Sequence, residues 1–143
     1  MGPIEGITVV ELSDNQAGAI AGMLLSDYGA NVIRIEQPNK HSVYTKPGFT
    51  VWNRGKQSIT LNIESEKGRT AFLRLLSTAD VLIETLEPLK MATFGFDYAS
   101  VHESYPKLVY CSLSGYELGG PDYGRPGYDG LIQARGGIMT GGN

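Results

Sequence analysis

A strand, a helix and a second strand follow one another within the first 36 residues, and this order limits the possible folds more than any other feature. Residues 7–12 and Asn31–Glu36 are short apolar runs rich in β-branched side chains. Between them, apolar residues recur at three- and four-residue spacing: Ala17, Ile20, Ala21, Leu24, Leu25 and Tyr28. That spacing predicts an amphipathic helix packed on a parallel strand pair with a right-handed crossover.

The same alternation continues downstream. Strands are expected at 57–63, with one exposed face, at 81–86 and at 108–114. Helices are expected at 65–78, from Pro88 onward, from Asp97 to Ser104 and at 130–136. Residues 37–54 are polar and are expected to form an irregular surface segment. Asn15 and Ser65 are suited to cap helices, and Gly29 to end one in the left-handed conformation. The sequence therefore predicts one α/β domain over residues 1–143, a Rossmann-like, mainly parallel sheet flanked by helices.

Glycine is concentrated at the end of the chain. Ten of the 19 glycines lie from Gly115 onward, directly after the last expected strand. Ligands of open α/β sheets bind outside the carboxyl ends of the strands. We therefore expect residues 115–143 to form a glycine-rich loop of the kind found at active sites, followed by the start of another element.

Composition excludes several classes of function. The net charge is -3 and no block of Lys or Arg occurs, which argues against nucleic-acid binding. No apolar run approaches the ~20 residues that cross a bilayer. The single cysteine, Cys111, lies in an expected strand, where a buried apolar role is typical, and no Cys/His spacing suggests a metal. These features predict a cytoplasmic protein without a membrane segment or metal.

Three polar segments carry possible chemistry, each with a purely structural alternative. The turn at 13–18 lacks G-x-G-x-x-G, which disfavours an NAD-type domain; Gln16 there could face an anionic ligand or belong to a plain helix cap. The turn at 53–56, with Arg54 and Lys56, could hold a phosphate or be a solvated entry to a strand. Tyr128 and Asp129 could serve catalysis, or pack and cap a helix. His41 and His102 have no recognisable partner.

Several blocks, in order, resemble the class III CoA-transferase family, which includes formyl-CoA transferases and α-methylacyl-CoA racemases. They are GITVVEL at 6–12, LLSDYGANVIRIE at 24–36, NRGKQS at 53–58, EKGR at 66–69, ADVLIE at 79–84, FGF at 94–96, LVYCS at 108–112 and RPGYD at 125–129. The resemblance covers essentially the whole chain. It implies a Rossmann-like large domain, a smaller domain and two chains interlocked as a homodimer, or a heteromeric partner chain.

The resemblance also implies a reaction between acyl-CoA and a small carboxylic acid. In the family an aspartate attacks the acyl-CoA thioester, forming an anhydride and then an aspartyl-CoA thioester. That aspartate lies roughly thirty residues beyond the position of Tyr128, so no nucleophile is expected within this chain, which should be inactive alone. Racemases use a His where this chain has Tyr128, and a phenol of pKa ~10 is a poor base near neutral pH. Transferase chemistry is therefore favoured over racemisation.

Residue by residue, the resemblance assigns two binding segments and one supporting position. Gln16 and Ala17 match a segment that lies against CoA and the acid, and Leu61 and Asn62 match a stretch lining the adenosine site. Tyr128, with Asp129 beside it, matches a position near the reacting groups. Gln16 and Tyr128 are thus expected to support catalysis rather than to perform it.

Departures from the family pattern put CoA binding in question. Three positions that hold CoA phosphates with basic side chains are Gln37, Glu64 and Thr93 here, and the segment 84–89 lacks the usual Asn and Gly. Each lost charge-assisted contact costs ~1.5–3 kcal/mol, unless other cations compensate; the candidates are Arg34, Lys40, Arg54 and Lys56. The alternative function is a non-catalytic pseudo-domain or subunit of a heteromeric CoA-transferase.

Overall fold

The computed structural model describes residues 2–38, 47–117, 119–125 and 127–139. Its five strands are β1 (Thr8–Leu12), β2 (Asn31–Glu36), β3 (Gln57–Thr60), β4 (Val81–Glu84) and β5 (Val109–Ser112). Its helices are α1 (Gln16–Asp27), α2 (Phe49–Trp52), α3 (Glu66–Leu76), α4 (Pro88–Phe94), α5 (Tyr98–Ser104) and α6 (Asp129–Arg135). The strands form a single sheet.

All strand pairs are parallel, in the order β3-β2-β1-β4-β5. Val10 at the centre of β1 pairs with Ile33 on one side and Leu82 on the other. The chain first moves outward from β1 to β3 and then restarts on the other side at β4. The expected parallel α/β sheet is confirmed, and its topological switch point lies between β1 and β4.

The larger core lies on the sheet face covered by α3, α4 and α5. Phe72 and Leu76 of α3 are buried there, as the sequence pattern predicts. The Phe72 ring lies 4.7 Å from that of Phe96, which follows the left-handed Gly95 at the end of α4. This packing fixes the path that the chain takes after β4, and with it the position of α4.

Helix α1 packs on the opposite face, and the sequence predicts its buried side only in part: Ala21 and Leu25 pack against the core there. Leu24 and Tyr28 are 46% and 56% exposed, whereas Gly18, Ala19 and Gly22 face the sheet. A Cβ on Gly22 would lie 2.0 Å from Glu11 Oε2. The small residues therefore allow α1 to approach a buried glutamate that bulky side chains would exclude.

Other differences concern element ends and edges. The expected strands at 57–63, 81–86 and 108–114 are each shorter, since their last residues turn away at the carboxyl edge. Strand β3 is exposed on both faces because it is the sheet edge. The excursion at 37–54 contains the four-residue helix α2; Lys40 and His41 lie outside the described residues. Cys111 is half-buried rather than buried.

The helix ends agree better with the sequence. The side chains of Asn15 and Ser65 accept hydrogen bonds from the backbone N–H of Gly18 and Gly68, and Gly29 has a φ of 105°. Within the described ranges no helix combines the length and apolarity needed to cross a membrane.

Candidate functional site

Two cavities of the described residues lie at the carboxyl edge of the sheet and are built from the loops that follow the strands. In an all-parallel sheet every strand ends at this edge, so side chains far apart in sequence meet there. One cavity, the Asn62 cleft, lies beyond β2, β3 and β4. The other, the Gln16 cavity, lies beside the start of α1 and beyond β1 and β2.

The Asn62 cleft has a volume of about 150 Å³ and is lined by Gln37, Pro38, Asn62, Ile63, Glu64, Leu86, Lys90 and Phe94. Asn62 is held by local hydrogen bonds: its Oδ1 accepts from Glu64 N at 3.0 Å and its carbonyl from Ser65 Oγ at 2.8 Å. A Cβ on Gly68 would lie 1.8 Å from that carbonyl. The turn before α3 is thus fixed, with Leu61 half-buried behind it.

Lys90 is the cation that lines this cleft among the described residues, and the sequence reasoning missed it. It lies on α4 three residues before Thr93, whose hydroxyl donates to the carbonyl of Leu89 at 2.8 Å. Residues three apart share one helix face. The sequence could therefore have identified Lys90, because a lysine one helical turn before Thr93 can place its charge near the position where the family has a basic side chain.

A buried charged network lies below the Gln16 cavity. Arg34 Nη1 donates to Glu11 Oε1 at 2.7 Å and Lys56 Nζ to Glu11 Oε2 at 2.6 Å, with all three side chains at most 7% exposed. Asn53 Oδ1 accepts from both cations, and Ser13 joins Glu11 and Arg34. Burial lowers the pKa of Lys56, and the Glu11 carboxylate opposes that shift.

This network argues against Lys56 as a phosphate ligand in the turn at 53–56. The Lys56 side chain is buried and also donates to the carbonyl of Ala19 at 2.7 Å, so it is not available as a ligand at the surface, although Arg54 and Gly55 of the same turn are exposed. Arg54 pairs with Asp27, and Arg34 is committed to Glu11. None of these three arginine and lysine side chains lines the Asn62 cleft.

The Gln16 cavity has a volume of about 410 Å³. Its lining combines polar residues at the start of α1 with a large apolar wall: Asp14, Asn15, Gln16, Ala19, Arg34, Pro47, Phe49, Trp52 and Asn53. The Arg34 guanidinium stacks over the Phe49 ring at 5.6 Å. Gln16 thus lies at a cavity, as expected, and Ala17 is beside it in the first turn of α1.

Thr85, which follows β4, is hydrogen-bonded across the switch point to Asp14, which follows β1. Asp14 N donates to Thr85 Oγ1 at 3.1 Å, and that hydroxyl lies 3.2 Å from Asp14 Oδ1. The neighbouring Glu84 is 2% exposed and its Oε2 accepts from Leu86 N at 2.9 Å. Burial raises the pKa of Glu84, partly offset by hydrogen bonds from Ser112 and Leu86.

The raised pKa of Glu84 predicts a pH-dependent stability. As pH rises above the ordinary carboxyl value of 4.5, the unfolded state releases this proton before the folded state does, so the free energy of unfolding falls. We expect Glu84→Gln to remove this fall. Urea titrations between pH 4.5 and 7 should show the variant gaining stability relative to the parent as pH rises, whereas the exposed Glu103→Gln should not; a pH-independent difference would contradict the assignment.

Tyr128 and Asp129 line neither of these two cavities. Tyr128, rather than Asp129, occupies the N-cap position of α6, and it is 69% exposed instead of packed. Asp129 is in the first helical turn and accepts a hydrogen bond from Gln133 at 2.7 Å. The structure therefore brings Asn62 together with Gln37 and Glu64 in one cleft, and places Gln16 in the lining of the other cavity.

Metal chemistry has no candidate cluster in the described part of the chain, where no three His, Cys, Asp or Glu side chains are grouped to hold an ion. His102, on the exposed side of α5, stacks on the Tyr98 ring at 5.2 Å between centroids.

Comparison with known proteins gives a consistent result. The model of CoA-transferase family III matches residues 4–143. The chain is 35% identical to the succinate–glutarate CoA-transferase of Agrobacterium fabrum and 37% identical to the acetyl-CoA:oxalate CoA-transferase of Acetobacter aceti, covering 96% of this chain and 38% of each relative. The crystal structure of the hypothetical protein Rv3272 from Mycobacterium tuberculosis superposes with a TM-score of 0.90 at 34% identity, over 99% of this chain and 41% of that one. The chain thus spans about two fifths of the relatives it matches.

Proposed function

This chain belongs to CoA-transferase family III, and we propose that it is the CoA-binding N-terminal part of an enzyme that transfers CoA between carboxylic acids. The observation that carries the proposal is the Asn62 cleft at the carboxyl edge of the parallel sheet, where Asn62 is held in a fixed turn and Lys90 supplies a cation. The relatives from Agrobacterium fabrum and Acetobacter aceti are CoA-transferases, which supports the same chemistry here.

In this proposal Leu61 and Asn62 lie against the adenosine part of CoA. Lys90 supplies a charge-assisted contact to a phosphate, in a region where Gln37, Glu64 and Thr93 supply none. Lys90 is exposed and its side chain is long, so it can reach a phosphate without first breaking a buried ion pair.

The reacting end of the substrate would lie beside the start of α1. Gln16 and Ala17 are in the first helical turn, where backbone N–H groups have no intrahelical acceptor and the helix dipole favours negative charge. These groups would stabilise the carboxylate or thioester oxygen. Tyr128 is proposed to support the site, and a Tyr in place of the racemases' His favours CoA transfer over racemisation.

The covalent steps are assigned to a carboxylate outside these 143 residues. It would attack the acyl-CoA thioester, forming a mixed anhydride and releasing the CoA thiolate. The thiolate would then attack the enzyme's carbonyl of that anhydride, which forms an enzyme-CoA thioester and releases the donor acid as its carboxylate. In this proposal residues 1–143 form a single domain of which 115–143 provide one wall of the active site. A homodimer of interlocked chains completes the enzyme.

Calorimetry with CoA tests the binding role directly. We expect this chain to bind CoA in the micromolar range and to bind free pantetheine far more weakly, because the phosphates and adenosine carry the contacts at the Asn62 cleft. Equal affinity for pantetheine would contradict the placement of the phosphates. Absence of binding at millimolar CoA would contradict the proposed function.

A second candidate is a non-catalytic subunit that completes a heteromeric CoA-transferase. The observation in its favour is Glu64, whose carboxylate lines the cleft and opposes anionic phosphates. In that case the chain should fail to bind CoA alone, and should instead be recovered in a stable complex with a second chain of the same family.

A further inference from the structure

Strand β5 has a neighbour on one side only within the described sheet. The backbone N–H groups of Val109 and Leu113 each donate at 2.9 Å to a carbonyl of the segment 80–84, on the β4 side. Successive residues of a strand point their backbone groups to opposite sides, so the N–H and C=O groups of Tyr110 and Ser112 point away from β4. No other described segment forms a backbone hydrogen bond with these two residues. The outer side of β5 is therefore a row of donors and acceptors suited to another strand.

The residues of β5 do not protect this edge from pairing. The strand reads VYCS, without charge or proline, and the Val109 side chain is 60% exposed. Natural proteins protect uncovered edge strands with charged side chains, proline or bulges. Strand β3, at the opposite edge, follows Lys56 and carries polar Gln57, Ser58 and Thr60. The composition of β5 is instead typical of a strand with a neighbour on both sides.

A groove of about 520 Å³ lies along β5. It is lined by the four residues of β5 and by Glu84, Met91, Asp97, Tyr98 and Tyr123. The Tyr98 and Tyr123 side chains are 57% and 40% exposed. A strand added to β5 would therefore form backbone hydrogen bonds and at the same time bury apolar surface in the groove.

From these observations we infer that β5 pairs with a sixth strand, parallel to it, which is the next strand along the same polypeptide after α6 and lies outside residues 1–143. The inference rests on the proposed function in one respect, because it takes the enzyme to be longer than this chain. The chain covers 38% of the succinate–glutarate CoA-transferase and 41% of Rv3272, so most of an enzyme of that length lies outside these residues.

The sheet topology gives the direction and the source of the added strand. All four strand pairs are parallel, and parallel neighbours in one sheet are joined by a crossover that usually contains a helix. The chain leaves β5 toward α6, as a further crossover requires. The order β3-β2-β1-β4-β5 matches the common doubly wound order 3-2-1-4-5-6 in all but its last strand. Two copies joined through β5 would instead form an antiparallel pair.

Hydrogen exchange resolved to single amides tests the pairing. In residues 1–143 alone, we expect the amides of Tyr110 and Ser112 to exchange about 100-fold faster than that of Cys111, which faces β4. In the full-length enzyme both should exchange within about tenfold of Cys111. Fast exchange of both amides in the full-length enzyme would overturn the inference, as would a reading frame that ends at residue 143. Slow exchange in residues 1–143 that depends on protein concentration would identify a second copy as the partner and reject the added strand.

Two lysine variants at opposite edges give a matched comparison. Val109→Lys places a charge where the added strand would cover it, so in the full-length enzyme it should accelerate exchange at Tyr110 and Ser112 at least about tenfold. Ile59→Lys on β3, where the side chain is 38% exposed, should leave these two amides unchanged. Equal effects of the two variants would show that the protection does not arise at the β5 edge, and the inference would be wrong.

The outcome is separable from that of the proposed function. Binding of CoA by residues 1–143, with both amides unprotected in the full-length enzyme, leaves the CoA-binding role in place and rejects the added strand. Protection of both amides in an enzyme that does not bind CoA supports the added strand and rejects the CoA-binding role.

Discussion

Replacing Glu11 by glutamine should lower the free energy of unfolding by about 3–5 kcal/mol, the usual cost of leaving buried charge without its partner. Glu11 is 0% exposed and is the acceptor for both Arg34 Nη1 and Lys56 Nζ. The neutral amide keeps the shape but leaves two cations close together in a region of low dielectric. Urea unfolding, with the midpoint and slope compared between variants, measures the effect.

The chain offers a matched control and a discriminating second variant. Asp27→Asn breaks the Arg54 ion pair, whose side chains are 47% and 40% exposed, and should cost less than about 1 kcal/mol. Lys56→Met leaves the Glu11–Arg34 pair balanced, and should therefore cost clearly less than Glu11→Gln. A loss from Glu11→Gln no larger than that from Asp27→Asn would show that the buried network does not stabilise the fold.

The sequence predicts the sheet well because the signals for it are local. Strand β2 has the bounds that its apolar run predicts, and the caps of α1 and α3 form at Asn15 and Ser65. Alternating strands and helices then leave few topologies other than a parallel sheet. Each of these features depends on residues within a few positions of one another.

Helix α1 shows where local reasoning fails. Hydrophobic spacing correctly predicts that Ala21 and Leu25 pack on the core. It also predicts Leu24 and Tyr28 as buried, yet these are exposed and the helix presents Gly18, Ala19 and Gly22 to the sheet. The reason is non-local: Glu11 occupies the space below α1, and a Cβ at position 22 would overlap its carboxylate. Only the pairing of β1 with β2, which sets Glu11 opposite Arg34, reveals that a charged group is buried there.

For the candidate site, the sequence predicts the positions of some residues but not the roles of the cations. Gln16 and Asn62 do lie at the carboxyl edge, because their places after strands are fixed by the fold. The roles of Lys56 and Arg34 could not be predicted from the sequence, because both side chains pair with Glu11. Glu11 lies 45 positions from Lys56 and 23 positions from Arg34. Lys90 could have been identified from the sequence, because it lies one helical turn before Thr93 on the helix that follows β4.

Reversing the charge of Lys90 should therefore weaken CoA binding by roughly 100-fold, or about 2.7 kcal/mol. Removing a charge-assisted phosphate contact accounts for about 1.5 kcal/mol or more, and Lys90→Glu adds repulsion beside Glu64, which lines the same cleft. Lys90→Met should lose about tenfold. Calorimetry with CoA at two salt concentrations measures both, and the salt dependence should decrease in each variant.

Lys107→Glu provides the matched control for this prediction. Lys107 is an exposed lysine just before β5, at the amino edge of the sheet and therefore on the side away from the Asn62 cleft. Lys107→Glu changes the net charge by the same amount as Lys90→Glu, so a purely non-specific effect of charge would lower CoA affinity equally in both variants. An effect confined to Lys90 would instead locate the phosphates at the cleft. Glu64→Gln should then tighten binding, because it removes the opposing carboxylate while leaving Asn62 in its turn.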